Sequence, residues 1–577
     1  MENLAVARVL SEIADLLELK GENPFRVRAY RTAAQVVADH PDRVAELEPR
    51  ALMDIPGIGK DLAAKIHEIA ATGTTAYHQE LLREFPPSIL DVLRLQGIGP
   101  KTVALLYQTL RISSIEELEQ AALAGAIRKI KGMGPKKEQL ILTAIAERKQ
   151  HAGRHLLGDT AEVAEALVAW LREAAPTATF DIVGSLRRGA ETCGDIDILA
   201  TGATPAIMDR FVGYRLVERI LARGETKSSV LLWKGYQADL RLVQPESRGA
   251  ALQYFTGSKG HNIALRQRAL NRGLTLNEYG LFTLTTGERV AGDTEEGIYA
   301  ALGLPWIDPA LRECRGEIEA AEEGRLPQLI ARGDIRGDLH MHTTESDGRH
   351  DIETMARAAR ALGLEYIAIT EHSQLLSMAN GLDDARALAH AARIREIGSR
   401  IKGIKLLAGI ECDIRPDGTL DLSDETLSQL DVVIASVHSA FAQSEEEMTA
   451  RILRAIENPW VDVLGHPTGR KILSREPYKV DVDRVIDAAA RHGVALEINS
   501  NFHRLDLNDI HARRARDRGV PIVVNTDAHS TTELELVRWG IATARRAWLS
   551  PADVLNTRPL AELRRRLRRH RRAATVP

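Results

Sequence analysis

The densest chemical signal in the chain is Gly184-Ser185-Leu186-Arg187-Arg188-Gly189-Ala190-Glu191-Thr192-Cys193-Gly194-Asp195-Ile196-Asp197. On a strand, Asp195 and Asp197 are two apart and point to one face, while Ile196 and Ile198 turn toward a core. Two carboxylates so close repel each other unless a cation neutralises them, and hard oxygen ligands suit Mg²⁺ or Mn²⁺. A third acid, Asp239 in Ala238-Asp239-Leu240-Arg241-Leu242, lies on a later strand that can run beside the first. Together the three suit two ions, one activating a 3′-hydroxyl and one neutralising a nucleoside triphosphate and its leaving group. Gly184 permits a close backbone approach, and Ser185 and Arg188 are donors for phosphate oxygens. A surface turn before an acidic strand end would account for the two aspartates alone, but not for the serine, the arginines and the distal acid.

Histidines form a second bias: of 18, twelve lie after residue 335. They fall in Asp338-Leu339-His340-Met341-His342, Thr370-Glu371-His372, Val437-His438, Gly465-His466 and Thr526-Asp527-Ala528-His529, with Asp347 and Glu411 in similar positions. Nearly all close an apolar run. His340 with His342, and Asp527 with His529, share a strand face, so each pair can chelate one ion. Six histidines and three carboxylates exceed the needs of one ion, which points to a cluster bridged by Glu411 and suited to Zn²⁺, Mn²⁺ or Fe. His350, His390, His492, His503 and His511 read as ordinary structural histidines.

The elements that must position these groups follow from periodicity. Residues 1–150 read almost wholly as short helices. From about residue 158 the pattern is mixed, with a helix over 161–174, strands over 179–185 and 195–200, a helix near 208–222, and strands over 228–235 and 237–244. Residues 247–315 read as helix and loops, and 317–335 as a helical connector. Beyond Ile335, strands and helices alternate, the rhythm of a β/α barrel whose strand ends carry the chemistry. The predicted class is therefore multidomain, α followed by α/β.

One short element recurs in the helical part: Ile55-Pro56-Gly57-Ile58-Gly59-Lys60, Leu95-Gln96-Gly97-Ile98-Gly99-Pro100-Lys101, and Ile130-Lys131-Gly132-Met133-Gly134-Pro135-Lys136. Its glycines allow a tight turn whose N–H groups, with the following helix N-terminus and lysine, cradle a phosphate without reading bases. Three copies favour phosphate binding over a plain helix connector.

Length, 577 residues, is too great for a single small domain. Lys+Arg 76 against Asp+Glu 80 gives a net charge of -4, which excludes nucleic-acid binding by bulk attraction and leaves local contacts. Three scattered cysteines, Cys193, Cys314 and Cys412, offer neither a disulfide framework nor a cysteine zinc site. The acidic N-terminus does not read as a signal peptide, and there is no apolar run of membrane-spanning length. A soluble, cytoplasmic protein with no membrane partner is expected.

The hairpin repeats resemble the helix-hairpin-helix elements of DNA repair proteins. The stretch around Asp195 closely resembles the nucleotidyltransferase signature of family X DNA polymerases, the group containing polymerase beta, over residues 1–315. Tyr254-Phe255-Thr256-Gly257-Ser258, Asn262, Arg266 and Asn277-Glu278-Tyr279 match that family's thumb. The resemblance implies a small DNA-end-binding domain (1–80), a helix-hairpin-helix fingers domain (81–153), a palm (154–246) and a thumb (247–315). It makes Asp195, Asp197 and Asp239 catalytic metal ligands, places Ser185, Arg188 and Gly194 on the triphosphate, and places Tyr254, Phe255, Gly257 and Asn262 around the nucleotide. Arg266 would lie near the template, with Gly57, Gly59, Lys60, Lys65, Gly97, Gly99, Lys101, Gly132, Gly134 and Lys136 against DNA. The implied substrates are gapped or nicked duplex DNA and dNTPs, bound by a monomer.

Two departures from the family pattern stand out. Lys259 occupies a position that is acidic or neutral in the family, and would strengthen nucleotide binding even without metal. Lys65 falls where animal relatives carry a Schiff-base lysine that excises deoxyribose phosphate, but Asp61 replaces a neighbouring basic residue, so a phosphate contact is the better expectation.

After a linker (316–334), residues 335–577 resemble the polymerase and histidinol phosphatase (PHP) domain, a distorted seven-stranded β/α barrel with three metals. All nine ligand positions are filled: His340, His342, Asp347, His372, Glu411, His438, His466, Asp527 and His529. Fused to a polymerase, such a domain implies a 3′→5′ exonuclease, with apurinic-site endonuclease or 3′-end phosphatase action as further outlets. The rivals are a nucleotidyltransferase of other substrates with a small-molecule phosphatase, against which the hairpins argue, and a non-catalytic DNA scaffold, which would lack metal ligands. The arginine-rich C-terminus from Arg558 reads as a solvated helix end, with a DNA clamp as the alternative.

Overall fold

A computed structural model describes residues 3–567 apart from 39–43, 54, 56, 87, 94, 96, 97 and 152. The chain divides into two compact units, Met1–Ala152 and Gly153–Pro577. Gly97 and the last ten residues of the arginine-rich tail lie outside the described residues.

The first unit is helical, and its two N-terminal helices, Asn3–Lys20 and Pro24–Ala38, are longer than the short segments expected. The three repeats share one construction. An apolar residue donates its N–H back three residues: Ile58 to Ile55 (3.0 Å), Ile98 to Leu95 (3.2 Å) and Met133 to Ile130 (2.9 Å). Ile58, Ile98 and Met133 are buried, so each turn is fixed by the core. Gly57 and Gly132 take positive φ (92° and 88°), a conformation that costs a side-chain-bearing residue. Extended Gly59 and Gly99 then start the helices Lys60–Thr72 and Pro100–Leu110. Lys60, Lys101 and Lys136 are exposed.

The second unit begins with the palm, a five-stranded sheet. Its strands are β1 (Thr179–Ile182), β2 (Asp195–Thr201), β3 (Val217–Arg223), β4 (Lys227–Leu232) and β5 (Gln237–Val243), in spatial order β1-β2-β5-β4-β3. Ile196, Ile198, Ala238 and Leu240 pack with Leu167 and Leu171 of the helix Leu157–Ala174. The helix expected near 208–222 is only Ile207–Val212; Gly213 caps it, and the rest becomes edge strand β3, paired antiparallel to β4. The thumb also carries a three-stranded sheet, Leu274–Asn277, Gly280–Thr283 and Arg289–Ala291, that the sequence reading lacks. Helix in the connector is limited to Glu317–Glu322 and a 3₁₀ turn at Arg332–Asp334.

The remainder is a parallel barrel with strands β6 (Gly337–Asp338), β7 (Tyr366–Ile369), β8 (Lys405–Asp413), β9 (Val432–Ser436), β10 (Val463–Leu464), β11 (Ala495–Asn499) and β12 (Ile522–Asn525), neighbours in chain order. A single Met341–Ala528 bridge brings its two ends together. His342 N–H donates to Ala528 O (2.9 Å) and Asp527 N–H to His340 O (3.0 Å), so the closure is built from the segments that carry the chemistry.

Palm, thumb and barrel are tied by arginines. Arg546 of the barrel bonds Glu313 (2.7 Å), Asp509 (2.9 Å) and the carbonyl of Arg188 (3.2 Å), while Arg470 reaches Glu191 (2.7 Å) and Arg545 reaches Asp308 (2.6 Å). Phe502 lies flush on the helix Leu157–Ala174, where a Cβ added at Gly158 would stand 2.5 Å from its ring.

Candidate functional site

In the palm, the parallel pairing of β2 with β5 sets Asp197 directly opposite Asp239, with Asp195 opposite Gln237. Burial first, then the charges of Asp195 and Asp239, push the Asp197 carboxyl up to about 7. Asp195 is raised by burial and by Asp239. Lys227 Nζ lies 3.1 Å from Asp239 Oδ2, a cation where the acids need one. Three converging acids, one of them protonated below neutrality, fit a divalent ion pair. Gly184 fits as well: its φ is +68°, and a Cβ there would meet Asp197 Oδ2 at 2.8 Å.

The other nucleotide-site residues surround this edge. Ser185 lies beside the buried Cys193 thiol. Arg188 is occupied, donating to Glu313 (2.9 Å) and to the Thr256 carbonyl. Tyr254 and Phe255 meet edge to face at 5.0 Å, with Arg266 over the former ring and Arg241 over the latter. Asn262 is buried between Gln253 and the Tyr254 carbonyl, 2.7 Å from each. Gly257 has φ +65°, and Lys259 is the exposed first residue of the helix Lys259–Asn271. A cation there opposes the helix dipole, a cost that a bound phosphate would offset.

The barrel brings all nine of its predicted ligands together. Asp347 lies 3.5 Å from His372 and 3.4 Å from His529; Asp527 lies 3.1 Å from His342 and 3.5 Å from His340. Glu411 sits at the centre, with one oxygen 2.8 Å from His372 and the other 3.3 Å from His438 and 2.9 Å from His466. Among the described residues, the groups of three or more close enough to share an ion are His342/Asp347/His372/His529, His340/His342/Asp527 and His372/Glu411/His438, and the palm aspartates form no group so tight. Asp527 and His529 fall in different groups of three or more, with His529 Nδ1 3.9 Å from Asp527 Oδ1. Asp527 has φ +55°, which breaks the strand alternation on which that pairing rested. His466 is also left-handed, at φ +27°, and both residues hold strain of the kind that collects at functional sites.

Burial alone would lower the histidines, yet Glu411 and Asp347 raise His372 to about 9, and Glu411 and Asp413 raise His438 to about 10. His342, buried beside His372 and His529, falls to about 4. Despite burial, the surrounding histidines hold Glu411 and Asp527 well below the usual carboxylate range. His342 Nδ1 and His466 Nδ1 are buried without a hydrogen-bond partner. Orphaned imidazole nitrogens among ionised carboxylates fit metal ions.

Sequence reasoning missed an outer ring of carboxylates. Glu497, buried on β11, accepts from His340 Nδ1 (2.8 Å) and from the His466 N–H (2.9 Å). Asp413 bonds His438 Nδ1 (3.2 Å), and Glu371 accepts from the Thr343 N–H (3.0 Å) and the Thr343 and Ser346 hydroxyls. His390, read as an ordinary structural histidine, stands 3.4 Å from Glu371. Such partners fix ring orientation and raise ligand basicity.

The chain matches the models of a helix-hairpin-helix domain (residues 1–75), a SAM-like helix-hairpin-helix tandem (89–147), the DNA polymerase beta palm (158–229), the DNA polymerase beta thumb (251–313) and the PHP domain (338–501). It is 38% identical over 573 residues, 99% of this chain and 100% of the relative, to the DNA polymerase/3′-5′ exonuclease PolX of Bacillus subtilis (strain 168). The chain belongs to the PHP-bearing family X DNA polymerases. Over 231 residues (38% of the chain, 89% of the relative) it is also 30% identical to a probable phosphatase of Thermoanaerobacter sp. (strain X514), and over 205 residues (33% and 75%) 35% identical to one of Caldanaerobacter subterraneus. The PHP match ends before Asp527 and His529, which the barrel closure returns to the cluster.

For a family X chain, the state of Lys65 matters. Its amine bonds Asp61 (2.6 Å), and although burial lowers its pKa, Asp61 and Tyr30 leave it raised. A Schiff-base nucleophile needs the opposite shift. No described helix is long and apolar enough to cross a membrane.

Proposed function

We propose that this family X chain fills short gaps in duplex DNA during repair by two-metal nucleotidyl transfer, and that its PHP barrel trims 3′ ends as a metal-dependent 3′→5′ exonuclease. The observation that carries the reading is the presence, in one chain with three hairpin cradles, of two separate acid-rich centres: carboxylates on β2 and β5, and imidazoles with carboxylates at the barrel strand ends. When bound, divalent ions would activate the attacking oxygen and neutralise phosphate oxygens at each centre. We assign Mg²⁺ or Mn²⁺ to Asp195, Asp197 and Asp239, and three ions from Zn²⁺, Mn²⁺ or Fe to the barrel's nine ligands.

Within the palm, Asp195, Asp197 and Asp239 fix the line between 3′-hydroxyl and triphosphate. Ser185, Arg188, Gly194 and Lys259 hold phosphates, Tyr254, Phe255, Gly257 and Asn262 hold the sugar and base, and Arg266 lies by the template. Arg188 must exchange the Thr256 carbonyl or Glu313 for phosphate. The hairpin residues Gly57, Gly59, Lys60, Gly99, Lys101, Gly132, Gly134 and Lys136, with Lys65, grip the DNA backbone. We take the functional divisions as 1–80, 81–153, 154–246, 247–315, 316–334 and 335–577, acting as a monomer at the nucleoid. Similarity to probable phosphatases favours 3′-phosphate removal as a second outlet of the barrel.

The test is a labelled primer on one-nucleotide-gapped DNA with Mn²⁺, with and without dNTPs. Extension lost only in Asp195→Ala/Asp197→Ala and shortening lost only in His340→Ala/His342→Ala support the reading. Shortening that survives the histidine changes overturns the barrel assignment, and a wild type that never extends overturns the polymerase assignment.

A further inference from the structure

The barrel's metal cluster is open on one side. His340, His342, Glu411 and His466 are fully buried, whereas the Asp347 and His529 side chains are 37% and 29% exposed. A substrate phosphate must therefore enter past Asp347 and His529.

A loop begins beside that opening, directly after the ligand His372. It leaves the barrel at His372 and returns at Leu382, whose N–H bonds the His372 carbonyl (2.8 Å), and a Ser373–Leu382 bridge closes its neck. The loop is pinned at three further points. Leu375 N–H donates to Asp421 Oδ2 (2.7 Å), Asn380 Nδ2 donates to the Glu345 carbonyl (2.8 Å), and Gly381 passes so close to Ser373 that an added Cβ would stand 1.9 Å from its carbonyl oxygen. Glu345 is two residues from Asp347, so the tip is fastened to the segment that forms the open wall.

What this fastened loop presents is apolar. Met378 is 99% exposed and Leu375 43%. Single exposed apolar residues need no explanation, but two on one anchored loop at the entrance of a polar metal centre do. From its neck at Leu382, four residues away, Met378 can be at most about 14 Å distant, the span of a few nucleotides. Unbranched methionine adapts to a flat apolar surface, and apolar side chains pushed between base steps are a general means of unstacking a duplex. A 3′ end held in a base pair must be unpaired before its last phosphodiester can enter a recessed cluster.

We propose that Met378 and Leu375 form a wedge that unstacks the terminal base pair of a DNA 3′ end entering the barrel, and so set how well paired ends are shortened relative to unpaired ones. This rests on the exonuclease reading of the same centre. The loop is exposed, so Met378→Ser and Leu375→Ser, singly and together, are expected to fold.

The experiment compares full-length wild type and variants on three 5′-labelled substrates: a single-stranded oligonucleotide, a recessed paired 3′ end and a recessed mismatched end. The double variant is expected to shorten the paired end at least tenfold more slowly while the single-stranded rate stays within twofold, with the mismatched end between. Equal losses on all substrates, or none, would overturn the wedge. In parallel, 2-aminopurine as the paired 3′-terminal base reports unstacking without added metal. Its fluorescence should rise on binding wild type and not the double variant, and an equal rise with both would also count against the proposal. A wild type that shortens no DNA, even single-stranded, removes the exonuclease reading instead, and the fluorescence pair then still decides whether the loop unstacks ends.

Discussion

The palm and the barrel solve the same electrostatic problem in opposite ways. In the palm, three like charges converge on adjacent strands, and the relief within the chain is a proton on Asp197 and the half-exposed Lys227 beside Asp239. In the barrel, six imidazoles interleave with Asp347, Glu411 and Asp527, and Glu497, Asp413 and Glu371 brace the assembly from outside. The palm site is therefore completed by what binds to it, whereas the barrel site is assembled by the fold itself.

The sharpest break between the two is loss of a central carboxylate. Removing one acid from a two-metal clamp costs several kcal/mol, so Asp197→Ala should slow primer extension roughly a thousandfold while leaving end shortening intact. Glu411→Ala should do the reverse and also lower the number of ions retained by the protein, counted by native mass spectrometry. If Glu411→Ala keeps its full complement, the bridging position given to that residue is wrong.

Next comes the bracing. Glu497→Gln should weaken barrel metal affinity by about 10- to 100-fold with circular dichroism unchanged. An equally large loss of extension would mean that the two centres are not independent.

Proton competition sharpens the contrast further. Asp197, raised to about 7, competes with metal only below neutrality, where palm affinity should fall about tenfold per pH unit. His372 and His529, raised to about 9, and His438, raised to about 10, carry protons that barrel metals must displace well above neutrality. Calorimetry at pH 8 in buffers of different ionisation enthalpy should find several protons released on loading the barrel and few on loading the palm. The same shifts bear on stability of the metal-free protein. Asp197 holds its proton in the fold but not when unfolded between about 4 and 7, so its contribution falls as pH rises through that window.

The smallest effect concerns Lys259. Its replacement by alanine should weaken metal-free dNTP binding a few-fold in a fluorescence titration, as fits an exposed charge. Unchanged affinity would remove it from the nucleotide site.

These contrasts also explain what could be read from the chain alone. Asp195, Asp197 and eight of the nine barrel ligands lie in short segments whose residue types already state a chemistry, while Glu411 needed only its place at a strand end. Glu497 and Asp413 carry no such local mark. Glu497 is a single acid inside an apolar strand, brought beside His340, 157 residues away, only by the order of strands, and Asp413 closes β8 two residues after Glu411. The strand Val217–Arg223 was misread for the same reason: its Ile220 and Leu221 are exposed on a sheet edge, so their spacing records no buried face, and its partner lies across a turn. The thumb sheet likewise depends on pairing that local periodicity does not encode.

The arginine ties between palm and barrel have a kinetic consequence. With Arg546 holding Glu313, Asp509 and the Arg188 carbonyl together, the connector after the thumb is not free to swing one centre toward the other. If one primer serves both centres, as the proposed function requires, the strand itself must make the journey, at a rate governed by how readily its last base pairs melt. On that reading a wrongly paired terminus would leave the palm sooner because it is loosely held, and an A·T-ended primer would be shortened more often than a G·C-ended one.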